Sequence, residues 1–168
     1  FCYICAITKS KIIMKYVLLT FVSLLFVSCL PDLKSDIETQ PVDYTVQNEK
    51  EIKDYIAKNN LDAQKSNTGL YYVITESGSG KQPTAISDVR VAYKGYFTSG
   101  KIFDQSKPEG IDFGLNDVIK GWTEGIQYFK EGGSGMLLVP AHLGYGNGRP
   151  GIPGGSVLVF DVKLIKVN

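Results

Sequence analysis

Cysteine is scarce in this sequence, and its three copies, Cys2, Cys5 and Cys29, all lie near the beginning. The rest of the chain therefore cannot form disulfides, hold a thiolate metal site or use a cysteine nucleophile. Cys2 and Cys5 have the spacing C-x-x-C, but no second pair of ligands accompanies them. We interpret this pair as a chance occurrence rather than as a metal site.

Histidine, surplus basic charge and nucleotide-binding motifs are also scarce. His142 is the single histidine and has neither cysteine nor acid near it in the sequence, which favours a surface or structural role. The formal net charge of +1 provides no basic surface for nucleic acid, and no phosphate-binding loop or metal-ligand spacing occurs. We therefore expect no cofactor, no metal and no nucleic-acid partner. The aromatic residues, among them 10 Tyr and 8 Phe, instead suit an apolar pocket.

Residues 16–30 form an apolar run that follows Lys15. A transmembrane helix needs about 20 apolar residues, so the run fits the apolar part of a secretory signal better. Met14 and Lys15 stand where such a signal would begin. The sequence therefore predicts a signal peptide over residues 1–28, with residues 1–13 upstream of a true start at Met14.

Ser28 and Cys29 end this run, and the polar pair Pro31 and Asp32 follows directly. The arrangement resembles a bacterial lipobox, although Phe26 departs from the usual small or aliphatic residue. The resemblance implies that Cys29 is lipidated and anchors the protein to a bacterial membrane, facing the periplasm or the exterior. The alternative is an ordinary signal peptide with an incidental cysteine.

Residues 29–47 lack periodicity and are expected to form a tether behind the lipidated cysteine. Residues 48–66 are predicted to form a short helical spacer, with Asn48 and Glu51 as a capping pair. Ile52, Tyr55 and Ile56 give this helix one small apolar stripe, which is too small for a stable isolated helix. The helix is therefore either a spacer that lies on its own domain or a dimerisation arm.

The remaining residues, 67–168, contain four segments with the composition and alternation of β-strands: residues 70–75, 88–97, 136–139 and 157–167. Turn-forming residues separate these segments. Together they predict an antiparallel sheet with one face covered.

One helix interrupts the strands. Asn116 is suited to cap it, and apolar residues follow at helical spacing: Val118, Ile119, Trp122, Ile126 and Phe129. This stripe must lie on the sheet, which makes the fold class α+β. Residues 144–155 are rich in glycine and proline and form a long loop of the kind that usually carries function.

An ordered set of motifs runs through residues 67–168: VAYKGY at 91–96, GKIFDQS at 100–106, VIKGWTEG at 118–125, GYG at 144–146, IP at 152–153 and LVFDV at 158–162. This set resembles the FKBP-type peptidyl-prolyl cis/trans isomerases in order and content. The resemblance implies an antiparallel, half-barrel-like sheet wrapped around one short helix. It agrees with the fold class predicted from the residues alone.

The resemblance also implies the site residues. The catalytic positions would be Tyr93, Phe103, Asp104, Trp122, Tyr145 and Phe160, with the prolyl ring on the indole of Trp122. The substrate-binding positions would be Ile111, Phe113, Val118, Ile119 and Ile152. Tyr145 and the backbone N–H of Ile119 would donate to carbonyls of the substrate, and Asp104 would face it.

Two departures from familiar members affect the rim of this pocket. Residues 105–112 form a shorter stretch, in which Ile111 stands in place of an aromatic residue. The loop after Tyr145 is also shorter and carries Arg149. Both departures bear on sequence preference and on affinity for drugs.

The resemblance predicts a peptidyl-prolyl cis/trans isomerase that assists the folding of envelope or secreted proteins. Its clients would be proline-containing polypeptides, and chaperone activity would accompany catalysis. Macrolide immunosuppressants are further ligands that the family implies, and the altered rim leaves their binding open. We expect a monomer. Two alternatives are a chaperone that binds without catalysing, and a structural envelope lipoprotein that docks a partner.

Overall fold

The structure of the protein is a computed structural model that describes residues 42–168. The predicted signal peptide, the predicted lipidation site Cys29 and most of the predicted tether lie outside these residues. No helix in the described part of the chain has both the length and the apolar character needed to cross a membrane.

The described residues form nine strands and two α-helices, with two single turns of 3-10 helix. In chain order the elements are α1 (Thr45–Lys58), β1 (Gln64–Lys65), β2 (Tyr71–Glu76), β3 (Asp88–Phe97), β4 (Ile102–Gln105), β5 (Ile111–Gly114), α2 (Lys120–Gly125), a 3-10 turn (Ile126–Tyr128), β6 (Ser134–Val139), a second 3-10 turn (Ala141–Leu143), β7 (Gly148–Arg149), β8 (Ile152–Pro153) and β9 (Leu158–Val167).

Seven of these strands form one antiparallel sheet in the order β1-β2-β6-β9-β3-β4, with β5 also paired to β3. Strand β9 lies in the middle, where it pairs with β3 along its length and with β6 over Leu158–Lys163. The other two strands, β7 and β8, form a separate small hairpin. The predicted α+β class, an antiparallel sheet with one short helix against it, is confirmed.

The main core lies between this sheet and helix α2. Leu158, Phe160, Val162 and Leu164 alternate along β9 and turn the same face toward it, as the period of two along a strand requires. Trp122 of α2 is buried against this face. The alternation in β9 thus determines which side of the sheet carries the pocket described below.

Helix α2 is shorter than the sequence predicts. It begins after Ile119, which is the N-cap, whereas Asn116 lies in the turn that follows β5 and does not cap the helix. Gly121 and Gly125 face β6, and a Cβ atom on either would lie within 2.7 Å of a side chain of that strand. Glycines four residues apart therefore allow the helix to approach the sheet closely.

Helix α1 covers the opposite face of the sheet. Ile52 is buried there in a second apolar cluster with Tyr71, Leu138 and Val157. Tyr55 and Ile56 pack against the same cluster, as their predicted stripe requires. The helix therefore packs on the domain that follows it.

The N-terminus of α1 differs from the prediction. The helix begins at Thr45, and the Asp43 carboxylate accepts a hydrogen bond of 2.8 Å from the Thr45 N–H. Asn48 is buried inside the helix, so its predicted capping role is wrong. Its amide instead donates to the carbonyl of Gly155 and accepts from the N–H of Ala141, both at 2.8 Å.

Glu49 links α1 to the sheet through charge. Its carboxylate accepts hydrogen bonds from Lys65 of β1 at 2.9 Å and from the hydroxyl of Tyr71 of β2 at 2.8 Å, and Lys53 lies 3.0 Å away. The hydrogen bond from Lys65 is the main cause that lowers the pKa of Glu49 to about 2. Folding therefore favours the ionised form of this carboxyl group.

We expect the free energy of unfolding to fall in acid through Glu49. A carboxyl group whose pKa is depressed on folding stabilises the protein above its unfolded pKa, and this contribution is lost as the pH falls toward about 2. Glu49→Gln should cost about 1–2 kcal/mol near neutral pH, since its side chain is 29% exposed and solvent screens the charge. The measurement is urea unfolding between about pH 7 and 2.5, where wild type and variant should converge. Asp54→Asn is the control, because the ion pair that Asp54 forms with Lys50 is exposed to solvent. Parallel pH curves for wild type and Glu49→Gln would contradict the prediction.

Candidate active site

Trp122 forms the floor of a cavity on the α2 face of the sheet. Its indole is 4% exposed and meets three rings edge-on: Tyr93 at 5.1 Å, Phe113 at 5.4 Å and Phe160 at 5.4 Å between centroids. Edge-to-face contacts at these separations hold aromatic rings in defined orientations. The indole face is therefore fixed by three neighbours that come from three different strands.

The cavity has a volume of about 510 Å³ and mostly aromatic and aliphatic walls, which is the size and character of a site for a small ligand or a peptide side chain. Its lining residues are Tyr93, Phe103, Asp104, Phe113, Asp117, Val118, Ile119, Trp122, Tyr145, Arg149 and Phe160.

Gly95 on β3 makes room for two of the walls. A Cβ atom at this position would lie 2.8 Å from the ring of Phe103 and 2.9 Å from the ring of Phe160. These two rings meet edge-on with centroids 5.6 Å apart. Gly95 was not among the predicted site residues, because nothing in a strand pattern shows that a ring from the next strand lies over it.

Tyr93 and Asp104 form a hydrogen-bonded pair at the cavity. The Tyr93 hydroxyl donates to the Asp104 carboxylate at 2.8 Å. Burial, followed by this hydrogen bond and the charge of Asp104, raises the pKa of Tyr93. The phenol therefore stays protonated near neutral pH and holds the carboxylate in place.

Two further donors line the cavity without an acceptor among residues 42–168. The carbonyl of Ile119 accepts from Trp122 and Thr123, but none of the described residues accepts from the Ile119 N–H. The Tyr145 hydroxyl likewise has no hydrogen-bond partner in the described part of the chain, while the Arg149 guanidinium lies 4.2 Å from the centre of its ring. Both donors are available to carbonyl groups of a bound chain.

Nine of the eleven predicted site residues line this cavity, and Ile111 and Ile152 do not. Ile111 is the first residue of β5, where it is 43% exposed and pairs with Val91 of β3. The ring at this wall comes from Phe113, two residues further along the same strand. Ile152 is buried in the core and borders a separate cavity.

Two lining residues, Asp117 and Arg149, were not among the predicted site residues. Asp117 directly precedes Val118, and its position beside a predicted wall residue is the one signal that points to it. Arg149 was noted as a change in the rim. The structure places both at the cavity.

An antiparallel sheet with one short helix against it and an aromatic cavity between them define a class of protein. The family model described as FKBP-type peptidyl-prolyl cis-trans isomerase matches residues 79–165. The chain belongs to this family, and the resemblance stated from its motifs is confirmed.

Individual members of the family are similar to this chain over most of its length. The chain is similar to the FKBP-type peptidyl-prolyl cis-trans isomerase FkpA of Escherichia coli K12, with 41% identity over 141 residues, which cover 81% of this chain and 52% of FkpA. The chain thus spans about half the length of the curated relatives it matches.

Solved structures agree with this placement. The crystal structure of FkpA from Escherichia coli matches with a TM-score of 0.66 and 37% identity, over 92% of this chain and 71% of that one. A peptidyl-prolyl cis-trans isomerase from Pseudomonas syringae matches with a TM-score of 0.64 and 31% identity, over 74% of this chain and 96% of that one.

Proposed function

We propose that the protein is a peptidyl-prolyl cis/trans isomerase that binds the prolyl segment of a polypeptide in the cavity over Trp122. The observation that carries this proposal is an aromatic floor flanked by two donors, the Ile119 N–H and the Tyr145 hydroxyl, that have no acceptor within residues 42–168. A prolyl ring is apolar, and the peptide around it offers carbonyl acceptors. The cavity offers a complement to both.

The mechanism follows from the physics of the amide bond. Resonance imposes a barrier of about 18–20 kcal/mol on rotation about X–Pro. An apolar cavity disfavours the more polar planar amide relative to the twisted one, and it strengthens hydrogen bonds to the flanking carbonyls. Ile119 and Tyr145 would supply these bonds, while Asp104, held by Tyr93, would orient neighbouring groups by its charge.

This mechanism transfers no proton, so its rate should vary little between about pH 6 and 8. The raised pKa of Tyr93 keeps that phenol protonated throughout this range. The measurement is kcat/KM for a proline peptide across the range. A steep pH profile would show acid–base chemistry and contradict the mechanism.

The test of the function is the refolding of a protein whose slow phase is limited by proline isomerisation. Wild type should accelerate this phase, and Tyr145→Phe should reduce the effect by about fivefold through loss of one hydrogen bond. Tyr72→Phe is the matched control, because Tyr72 bonds Gln64 and stacks on Tyr128 away from the cavity lining. Binding of unfolded chains without acceleration would favour the chaperone alternative. A protein that neither binds unfolded chains nor accelerates their refolding would favour the structural lipoprotein alternative.

The place of action is a second part of the proposal. A lipidated Cys29 would hold the domain at a bacterial membrane, where it would act on proline-containing envelope or secreted proteins. Lipid chains attached to a single cysteine bind membranes tightly when there are two or more. Cys29→Ser should release the protein from the membrane fraction and abolish its labelling with palmitate. A variant that stays membrane-bound and labelled would rule out this anchor.

A further inference from the structure

A second cavity adjoins the aromatic one. It has a volume of about 490 Å³ and is lined by Phe97, Lys101, Arg149, Gly151, Ile152 and Pro153. Arg149 lines both cavities. The ring of Phe97 in the second cavity lies 5.2 Å from the ring of Phe103 in the first. The two cavities therefore meet at Arg149 and at the contact between these two rings.

The position of Arg149 is set by the backbone around it. Arg149 and Ile152 pair across the β7–β8 hairpin, and Pro150 and Gly151 occupy its turn. Gly151 has a φ of 85°, as the third position of a type II turn requires after proline. The guanidinium lies 4.2 Å from the centre of the Tyr145 ring, so it stands beside a proposed substrate donor.

The charge in the second cavity has one sign. Among residues 42–168, Lys101 and Arg149 are its ionisable lining residues, and no carboxylate borders it. Neither cation forms an ion pair with a carboxylate of residues 42–168. The acidic residues Asp104 and Asp117 line only the first cavity. The charged residues that line the first cavity are therefore of both signs, whereas those that line the second are positive.

We infer that the second cavity is a subsite for an acidic side chain close to the isomerised proline, with Arg149 as the residue that determines this specificity. The inference rests on the proposed isomerase function and names the class of substrate that it favours. Glutamate suits the site, since its methylene groups can lie on Phe97 and Ile152 while its carboxylate meets the two cations.

The test uses alanine-rich peptides with one central proline. Each peptide carries a single Glu or a single Gln, placed at one of the four positions nearest the proline, two on each side. At one position wild type should isomerise the Glu peptide about two- to fivefold faster than the Gln peptide, the range expected for a solvent-accessible ion pair. This ratio should decrease as salt is added. Arg149→Ala should bring the ratio toward unity, and Arg149→Glu should bring it below unity. Lys58→Ala removes one charge from α1, on the other face of the sheet, and should keep the wild-type ratio.

Binding gives an independent measurement, because Trp122 is the single tryptophan of the chain. Its fluorescence should report a lower Kd for the favoured Glu peptide than for its Gln partner, whether or not rotation is accelerated. Equal rates and equal Kd values at every position would overturn the subsite and leave the isomerase intact. Tighter binding of the Glu peptide without acceleration of any peptide would overturn the proposed isomerase and leave the subsite intact.

Discussion

Replacing Trp122 with leucine is expected to lower kcat/KM for proline-limited refolding by tenfold or more while the domain stays folded. The indole is the floor of the cavity and is held by the rings of Tyr93, Phe113 and Phe160. Its Nε1 is buried and has no hydrogen-bond partner within residues 42–168, so leucine leaves no acceptor unsatisfied. The loss is then one of apolar contact and ring orientation, which is worth about 1–3 kcal/mol in a binding pocket.

Stability is the competing explanation for such a loss, and Phe129→Leu separates the two. Phe129 is fully buried in the same core but does not line the cavity. Both substitutions remove ring volume and should each cost about 2–3 kcal/mol of stability, measured by urea unfolding and circular dichroism. Only Trp122→Leu should also lose activity, and Trp122→Phe should fall between it and wild type. Equal activity of Trp122→Leu and Phe129→Leu would show that the cavity is not the active site.

Replacing Asn48 with alanine is expected to cost about 2–4 kcal/mol of unfolding free energy. Asn48 has no exposed surface, and its amide satisfies the Gly155 carbonyl and the Ala141 N–H. Alanine leaves both backbone groups buried without partners, and each unsatisfied group costs about 1–3 kcal/mol. The measurement is urea unfolding monitored by the fluorescence of Trp122.

The matched control for Asn48→Ala is Asn59→Ala at the other end of the same helix. Asn59 is exposed, and its amide donates to the Tyr55 carbonyl at 2.8 Å. Water can replace that bond, so this substitution should change stability by about 0.5 kcal/mol or less. If the two substitutions cost the same, the buried amide does not hold the helix on the sheet.

Asn48 also shows where prediction from sequence stops. Asparagine followed three residues later by glutamate is a local capping pattern, and it is present in the sequence whether or not the asparagine caps. The bonds that Asn48 makes join residues separated by 93 and 107 positions. No local pattern contains that information, so the helix could be predicted but its first residue and the role of Asn48 could not.

The residues that line the cavity also differ in how far the sequence could predict them. The family resemblance carried by the motifs around Tyr93, Trp122 and Phe160 predicted these three rings as site residues, and they meet in the structure. Ile111 and Phe113 lie two residues apart on β5, so both share a face by alternation. Which of them reaches the indole depends on how β5 extends along β3, and the structure assigns that place to Phe113.

The central position of β9 has a consequence for synthesis of the protein. Of the strands formed by residues 42–168, β9 alone joins the group β1, β2 and β6 to the group β3, β4 and β5. A chain synthesised only as far as β8 therefore holds two half-sheets that share no strand pairing. The sheet closes only once β9 is available to pair with both β3 and β6, so no earlier segment can complete it.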